Sequence, residues 1–293
     1  MKESNIDRIF TTNEDEAEKI KASLKKTYLS QEQATFGAER EKTAEEAEII
    51  AFLDQETTAV AQEFGGEGLE IPKNVVHIIS EKEYDDLNEN PDSMGQFSML
   101  GLQGIIIKDK DLGTEDFTHI LCHEMFHEKS FQSVRFNRKE KIGLAPRRVG
   151  FHVLLRKEPH KRAFVDLNEA VTEYFTQLMI RERWIKNRSI LPKTLIEKTQ
   201  NLNEKEFIKT FGVSYIWEQL SLMEIMDEIQ KKYPEKYKNR DDIFKIFGEA
   251  YFTGKLLKLR KIVDKTFGAG SFVKFAKEGL PESKPEKENE AKN

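Results

Sequence analysis

A chain of 293 residues with 38% hydrophobic and 34% charged residues can build one large core, or a compact catalytic unit with helical additions. Its formal net charge of −5 supplies no basic field for a phosphate backbone, so nucleic acid is not an expected partner. No apolar run reaches the ~18 residues of a membrane span, the charged start "MKESNIDRIFTTNEDEAEKI" lacks a signal-peptide core, and one cysteine, Cys122, excludes an internal disulfide framework; the expected location is cytoplasmic.

Residues 13–64 read as helical. Thr43-Ala44-Glu45-Glu46 has the spacing of a capping box, and Ile49, Leu53, Val60 and Phe64 then recur on roughly one face. The glycines of "FGGEG" end the segment, so residues 1–68 form a helical N-terminal extension. The pattern then changes to short β-branched runs, "NVVHIIS" at 74–80 and "GLQGIIIKDK" at 101–110, both suited to strands. The intervening "EKEYDDLNENPDSMG" is turn-rich and reads as a surface loop. In "DLGTEDF", Thr114 or Asp111 is placed to cap a helix whose first turn holds Glu115 and Asp116.

"RRVGFHVLLRKEPHKRAFV", residues 147–165, reads as a hairpin with two apolar arms around "KEPHK". The next helix opens at Asp166 or Asn168 and runs through "EAVTEYFTQLMIRERW". From about residue 190 the pattern is nearly all helix, and the charged end "KEGLPESKPEKENEAKN" reads as disordered. The chain therefore divides into the extension at 1–68, a core at 69–189, a helical subdomain at 190–276 and a tail at 277–293. The fold class is α+β, a small mixed sheet with one central helix between N-terminal and C-terminal helical regions.

The chemistry concentrates in "THILCHEMFHEKSF". This chain has six histidines, and two of them, His123 and His127, stand four apart on the expected helix, where successive residues advance about 100°. Their imidazoles lie side by side and can converge on one metal ion, while Glu124 projects beside them, free to take a proton from water. Cys122 points away from His123 and reads as a buried, inert thiol. A catalytic zinc needs a third protein ligand and one open position. The candidates are His119, His152, His160 and the acids of "DLNEAVTEYFT", of which His119 sits a turn too far along. Glu169 and Glu173 are i and i+4, so one could bind metal while the other orients a ligand histidine.

"HEMFH" followed 42 residues later (169 minus 127) by "NEAVTE" resembles the gluzincin metallopeptidases, the thermolysin-like and aminopeptidase-like enzymes and their minigluzincin members. The resemblance covers about residues 74–185 and implies a zincin-like core holding one Zn²⁺ per chain. It implies that His123, His127 and Glu169 are the ligands and Glu124 the general base, with Glu173 hydrogen-bonded behind the first histidine. It also implies that "GLQGIIIK" is the edge strand that aligns a peptide or protein substrate. No exopeptidase motif is present, and the motifs do not place the residue that stabilises the oxyanion. Tyr251 in "GEAYFTG" is the choice for that role, with Tyr215, His152 and His160 competing. The alternatives to a peptidase are a non-catalytic metal-binding scaffold, against which Glu124 argues, and a zinc hydrolase of a non-peptide amide or epoxide.

Overall fold

Thr43 opens the first long helix, α1 (Ala44–Glu63), with the reciprocal cap that its sequence encodes: the hydroxyl accepts from Glu46 N at 3.1 Å, and Thr43 N donates to Glu46 Oε2 at 2.7 Å. The computed structural model describes residues 6–11, 15–20, 22, 39–68, 70–71, 75–87, 93–98, 104–110, 112–136, 144–155, 161–184 and 215–281. Phe64 closes α1, and Gly65 follows with a left-handed φ of 82°. Its buried stripe of Ile49, Ile50, Leu53, Val60 and Ala61 faces the core.

The strands β2 (Val76–Ser80), β3 (Gly95–Ser98) and β4 (Gly104–Asp109) make a mixed sheet in the order β2-β4-β3, with β2 parallel and β3 antiparallel to β4. This corrects the expectation for "GLQGIIIK". Its described part is the central strand, and β3 is the edge. Ile105, Ile106 and Ile107 are all buried, so the run is covered on both faces, and an unbroken β-branched run is the mark of such a strand. The segment expected to be a loop holds the short helix α2 (Glu81–Leu87) and the start of β3. Buried Tyr84 anchors it, its hydroxyl 3.0 Å from Ser93 Oγ.

The second sheet has the order β1-β5-β6-β7-β8, from β1 (Arg8–Phe10), β5 (Gln132–Phe136), β6 (Leu144–Val149), β7 (His152–Leu154) and β8 (Arg162–Ala163). The strand β1, parallel to β5, lies in the region read only as helical. The expected hairpin arms do pair, Leu154 opposite Arg162, but a second tight turn at Gly150-Phe151 joins β6 to β7. Gly150 has φ of 55°, and a Cβ there would meet Asn168 Oδ1 and the Tyr251 ring, each at 2.5 Å; only glycine fits.

Between β4 and β5 in the chain runs α3 (Thr114–Lys129), which carries the His-Glu-x-x-His string. Gly113 is its N-cap, without a side-chain hydrogen bond; Thr114 instead donates to Glu45 Oε1 at 2.9 Å, and Asp111 lies outside the described residues. From Leu121 to Lys129 every residue is buried, because α1, α4 (Val165–Met179) and strands β3 and β4 all pack on this helix. Even Lys129 is inside: its ammonium donates to Asp54 Oδ1 at 2.5 Å and Thr58 Oγ1 at 2.6 Å, tying the end of α3 to α1.

The helix α4 continues into a π-helical turn at Ile180–Trp184, and α5 (Ile216–Lys232), α6 (Arg240–Thr253), α7 (Leu256–Phe267) and α8 (Ser271–Glu278) complete the helical side. Phe64, Phe126, Phe175, Phe244 and Phe252 form a ring cluster that joins α1, α3, α4 and α6, with Phe64 edge-on to Phe175 at 5.0 Å. Arg148 docks the second sheet on the C-terminal end of α6, donating to Gly254 O at 3.0 Å and Ala250 O at 3.3 Å, where a cation also meets the negative end of the helix dipole. Residues 185–214 and 282–293, most of the expected tail, are outside the description. Among the described residues no helix is long and apolar enough to cross a membrane.

Removing Lys129 should expose what its pair contributes. The Lys129→Ala variant should lose about 3 kcal/mol of stability, since the buried ion pair is broken and Asp54 is left with the Ile71 amide alone. Urea unfolding measures it, and an unchanged midpoint would show that the pair holds nothing together.

Candidate metal centre

Helical spacing puts His119, His123 and His127 along one face of α3, opposite Asn168, Glu169, Thr172 and Glu173 on α4. Three ligand-type atoms converge between the helices. His123 Nε2 and His127 Nε2 are 3.0 Å apart, and Glu169 Oε2 lies 3.3 Å from the first and 3.2 Å from the second. The His123, His127 and Glu169 cluster is a candidate metal-ligand set, with both histidines buried and Glu169 partly so. The imidazole planes cross at 74° with centroids 4.8 Å apart, so both rings can present an edge to one point.

Behind the cluster Glu173, 1% exposed, holds two histidines at once. Its Oε2 is 2.9 Å from His123 Nδ1 and its Oε1 is 2.8 Å from His119 Nε2, while Gln177 Nε2 donates to Oε1 at 3.2 Å. Burial works against this carboxylate's charge, yet His119 and His123 outweigh it and hold its pKa at about 2. A carboxylate facing His123 Nδ1 takes that nitrogen's proton in a hydrogen bond, which leaves the lone pair on Nε2. That lone pair looks at Glu169 Oε2, itself an acceptor. Two acceptors at such a distance need a cation between them, and an N, N, O donor set with an open side suits zinc. The residues fit the metal. Without one, burial opposes charge on His123, but Glu169 and Glu173 raise its pKa well above the ordinary imidazole value. Desolvation opposes charge on Glu169 as well, but His127 and His123 hold it well below the usual carboxylate range.

Glu124 stands beside this set and outside it. It lines a cleft of about 730 Å³ together with the ligands, strand β3, the turn side of β6 and β7, and Tyr215. Burial raises its pKa, the neighbouring histidines pull it back, and Phe97 N donates a hydrogen bond to it. Strand β3 comes this close because Gly95 has no side chain: a Cβ there would stand 2.4 Å from Ile120 Cγ2 and 3.2 Å from Glu124 Cγ.

The remaining sequence candidates separate clearly. His119 is bound to Glu173 and is not part of the converging set. His152 lines the cleft with its Nε2 unpartnered, and burial beside Arg162 lowers its pKa to about 4, which keeps it neutral. His160 lies outside the described residues. Tyr251 is not brought to the cleft. It is 0% exposed, its hydroxyl 2.7 Å from Thr172 Oγ1 and donating to Phe126 O at 3.2 Å. Tyr215 is there instead, stacked on His123 at 5.7 Å with planes 12° apart and 40% exposed. It holds φ of 60°, a left-handed conformation that costs a bulky residue of order 1–3 kcal/mol and recurs at functional sites. No local motif marks it, because it reaches the site from the start of α5. Cys122 is fully buried, its thiol pushed up by that burial, and stays inert.

The geometry brings together a His, His, Glu cluster able to hold a metal ion, consistent with a gluzincin-like arrangement. Comparison of the chain with family models, with curated proteins and with solved structures found no match.

Glu169→Ala should lose most bound zinc, read by metal analysis of purified protein; full retention would take Glu169 out of the ligand set. Glu173→Gln should keep the fold and weaken zinc affinity about 10–100-fold, measured by competition with a chelator.

Proposed function

We propose that this protein is a zinc-dependent metallopeptidase, with His123, His127 and Glu169 as metal ligands and Glu124 as general base. The observation that carries the reading is the position of Glu124: in the cleft, next to the ligand cluster, and held by the Phe97 amide of an open strand edge. A purely structural zinc site needs no such base and is normally closed by a fourth ligand.

The strand edge supports a peptide substrate. Lys108 N donates to Met94 O at 3.0 Å, and hydrogen-bonded positions alternate along an antiparallel pair, so Gly95 and Phe97 turn their amides and carbonyls away from β4. Apart from the Phe97 amide, which Glu124 holds, those groups are free of β4 on the strand that lines the cleft and can pair with an extended chain laid along it. A small non-peptide amide or an epoxide would leave them unused.

When bound, zinc supplies Lewis acidity, acidifying a water molecule towards a pKa of ~7 and polarising the scissile carbonyl. Glu124 accepts the proton of that water at its carboxylate and delivers it to the leaving nitrogen. Its raised pKa suits both tasks, since a base nearer neutrality also serves as an acid. Tyr215, rather than Tyr251, is the group in the cleft that can donate to the developing oxyanion, and burial keeps its phenol protonated. Glu173 keeps the His123 ring in place throughout.

Glu124→Gln should retain zinc and lose ~10²–10⁴-fold in peptide turnover, measured on the same preparations. Equal turnover in variant and wild type would sink the peptidase reading. Tyr215→Phe should lower kcat by about 10²-fold with KM little changed; a wild-type kcat would remove Tyr215 from the reaction.

A further inference from the structure

We infer that the outward face of α7, continued by α8, docks on the anionic surface of a lipid membrane, lying on it rather than crossing it. Charge is the first observation. Residues 254–280 hold seven basic residues and two acidic ones, a net charge of +5 (seven minus two). The whole chain carries −5, so the remaining residues together carry −10 (−5 minus 5). The two acids are already engaged. Asp264 caps α8 from α7 by accepting from Phe272 N at 2.9 Å, and Arg260 lies 3.4 Å from its other oxygen. Glu278 stands 3.8 Å from Lys274. Lys258 reaches Glu249 on α6 at 2.9 Å, but among the described residues Lys255, Lys261, Lys265 and Lys277 have no acidic partner. Lys232, from the end of α5, adds a further cation at the end of α7, donating to Lys265 O at 2.6 Å and Thr266 O at 2.9 Å.

The second observation is what stands among these cations. Leu259, Ile262 and Val263 are buried, which fixes α7 with its other side outward. There Leu257, Lys261 and Lys265 follow one another at four-residue steps, all exposed. Leu257 is 71% exposed, a branched apolar side chain standing in water beside lysines. On α8, Val273 and Lys277 repeat the same spacing and are both exposed, away from buried Phe272 and Phe275. Phe267, itself partly exposed, joins the two helices through the Phe275 ring at 5.7 Å.

This combination selects the occupant. A helix at a lipid interface sinks apolar side chains into the acyl boundary, while lysine stems carry their ammonium groups out to the anionic headgroups. A protein that binds helices in a groove would need the apolar stripe of α7, and the core already holds it. A second copy of the chain would set like charge against like. An acidic protein would satisfy the lysines and leave Leu257 and Val273 without a role.

Flotation of the purified chain with vesicles tests the inference. It should bind vesicles of phosphatidylcholine mixed with phosphatidylserine, stay free of phosphatidylcholine alone, and be released by high salt, which screens the lysines. Each lysine at an anionic surface strengthens binding about fivefold, so replacing Lys261 and Lys265 together by Gln should weaken it about 25-fold. Leu257→Ser should weaken it about tenfold or more. All three side chains are exposed and outside the cleft, so both variants should keep the wild-type fold and zinc content, whatever the metal centre does. No binding to the mixed vesicles would overturn the inference, as would equal binding to neutral vesicles or wild-type binding by the double lysine variant. Wild-type binding by Leu257→Ser would overturn the lipid assignment and favour an acidic protein as the partner.

Discussion

Three ligand-type atoms brought to one point must share a proton or a cation, and a protein that builds such a point must hold it from outside. His123 Nε2, His127 Nε2 and Glu169 Oε2 meet at separations of 3.0 to 3.3 Å, with one helix supplying two of them and another the third. Much of the fold serves to keep those helices from sliding apart. The helix α3 is pinned by Lys129 to α1 at one end and covered by β3 and β4 along its length. Asn168 ties α4 to the turn at Phe151, and Phe175, packed against Phe126 and Phe252, joins it to α3 and α6. Side chains held this rigidly would need little reordering around a cation.

The same carboxyl chemistry is turned to different ends by depth and neighbours. Glu169 and Glu173 sit against histidines, which outweigh their burial and keep them charged. Glu124, on the other side of the cluster, is buried with weaker compensation, and its pKa rises. Carboxylates whose environments push them in opposite directions are suited to opposite roles, and the proposed division, ligand or orienter on one side and proton carrier on the other, follows that contrast. The division is set by which helix each acid stands on.

What could be read from the sequence was whatever a short spacing encodes. The Thr43 cap, the β-branched strands, the paired histidines and the acids of α4 are all local patterns with a fixed period. What could not be read depends on partners far along the chain. The strand β1 has three residues and exists through pairing with β5, some 125 positions on (133 minus 8). The short strand "GQFS" has no β-branched residue, so nothing local marks it as the edge beside the central run that the family resemblance puts there. Tyr215 and Tyr251 look alike in sequence, and only depth separates a tyrosine facing the cleft from one sealed behind Thr172.

The contact between Glu124 and Phe97 has a consequence apart from chemistry. An exposed strand edge with outward amides invites the edge of another molecule, and such pairing is a route to aggregation. In β3 the Phe97 amide is already engaged by Glu124, and Gly95 lies against Ile120 on α3. An incoming strand that sought the Phe97 amide would have to displace a buried carboxylate. The acid therefore acts as a gatekeeper for the sheet, and a chain that lost it would bare an unsatisfied amide at the mouth of the cleft, with self-association as the cost.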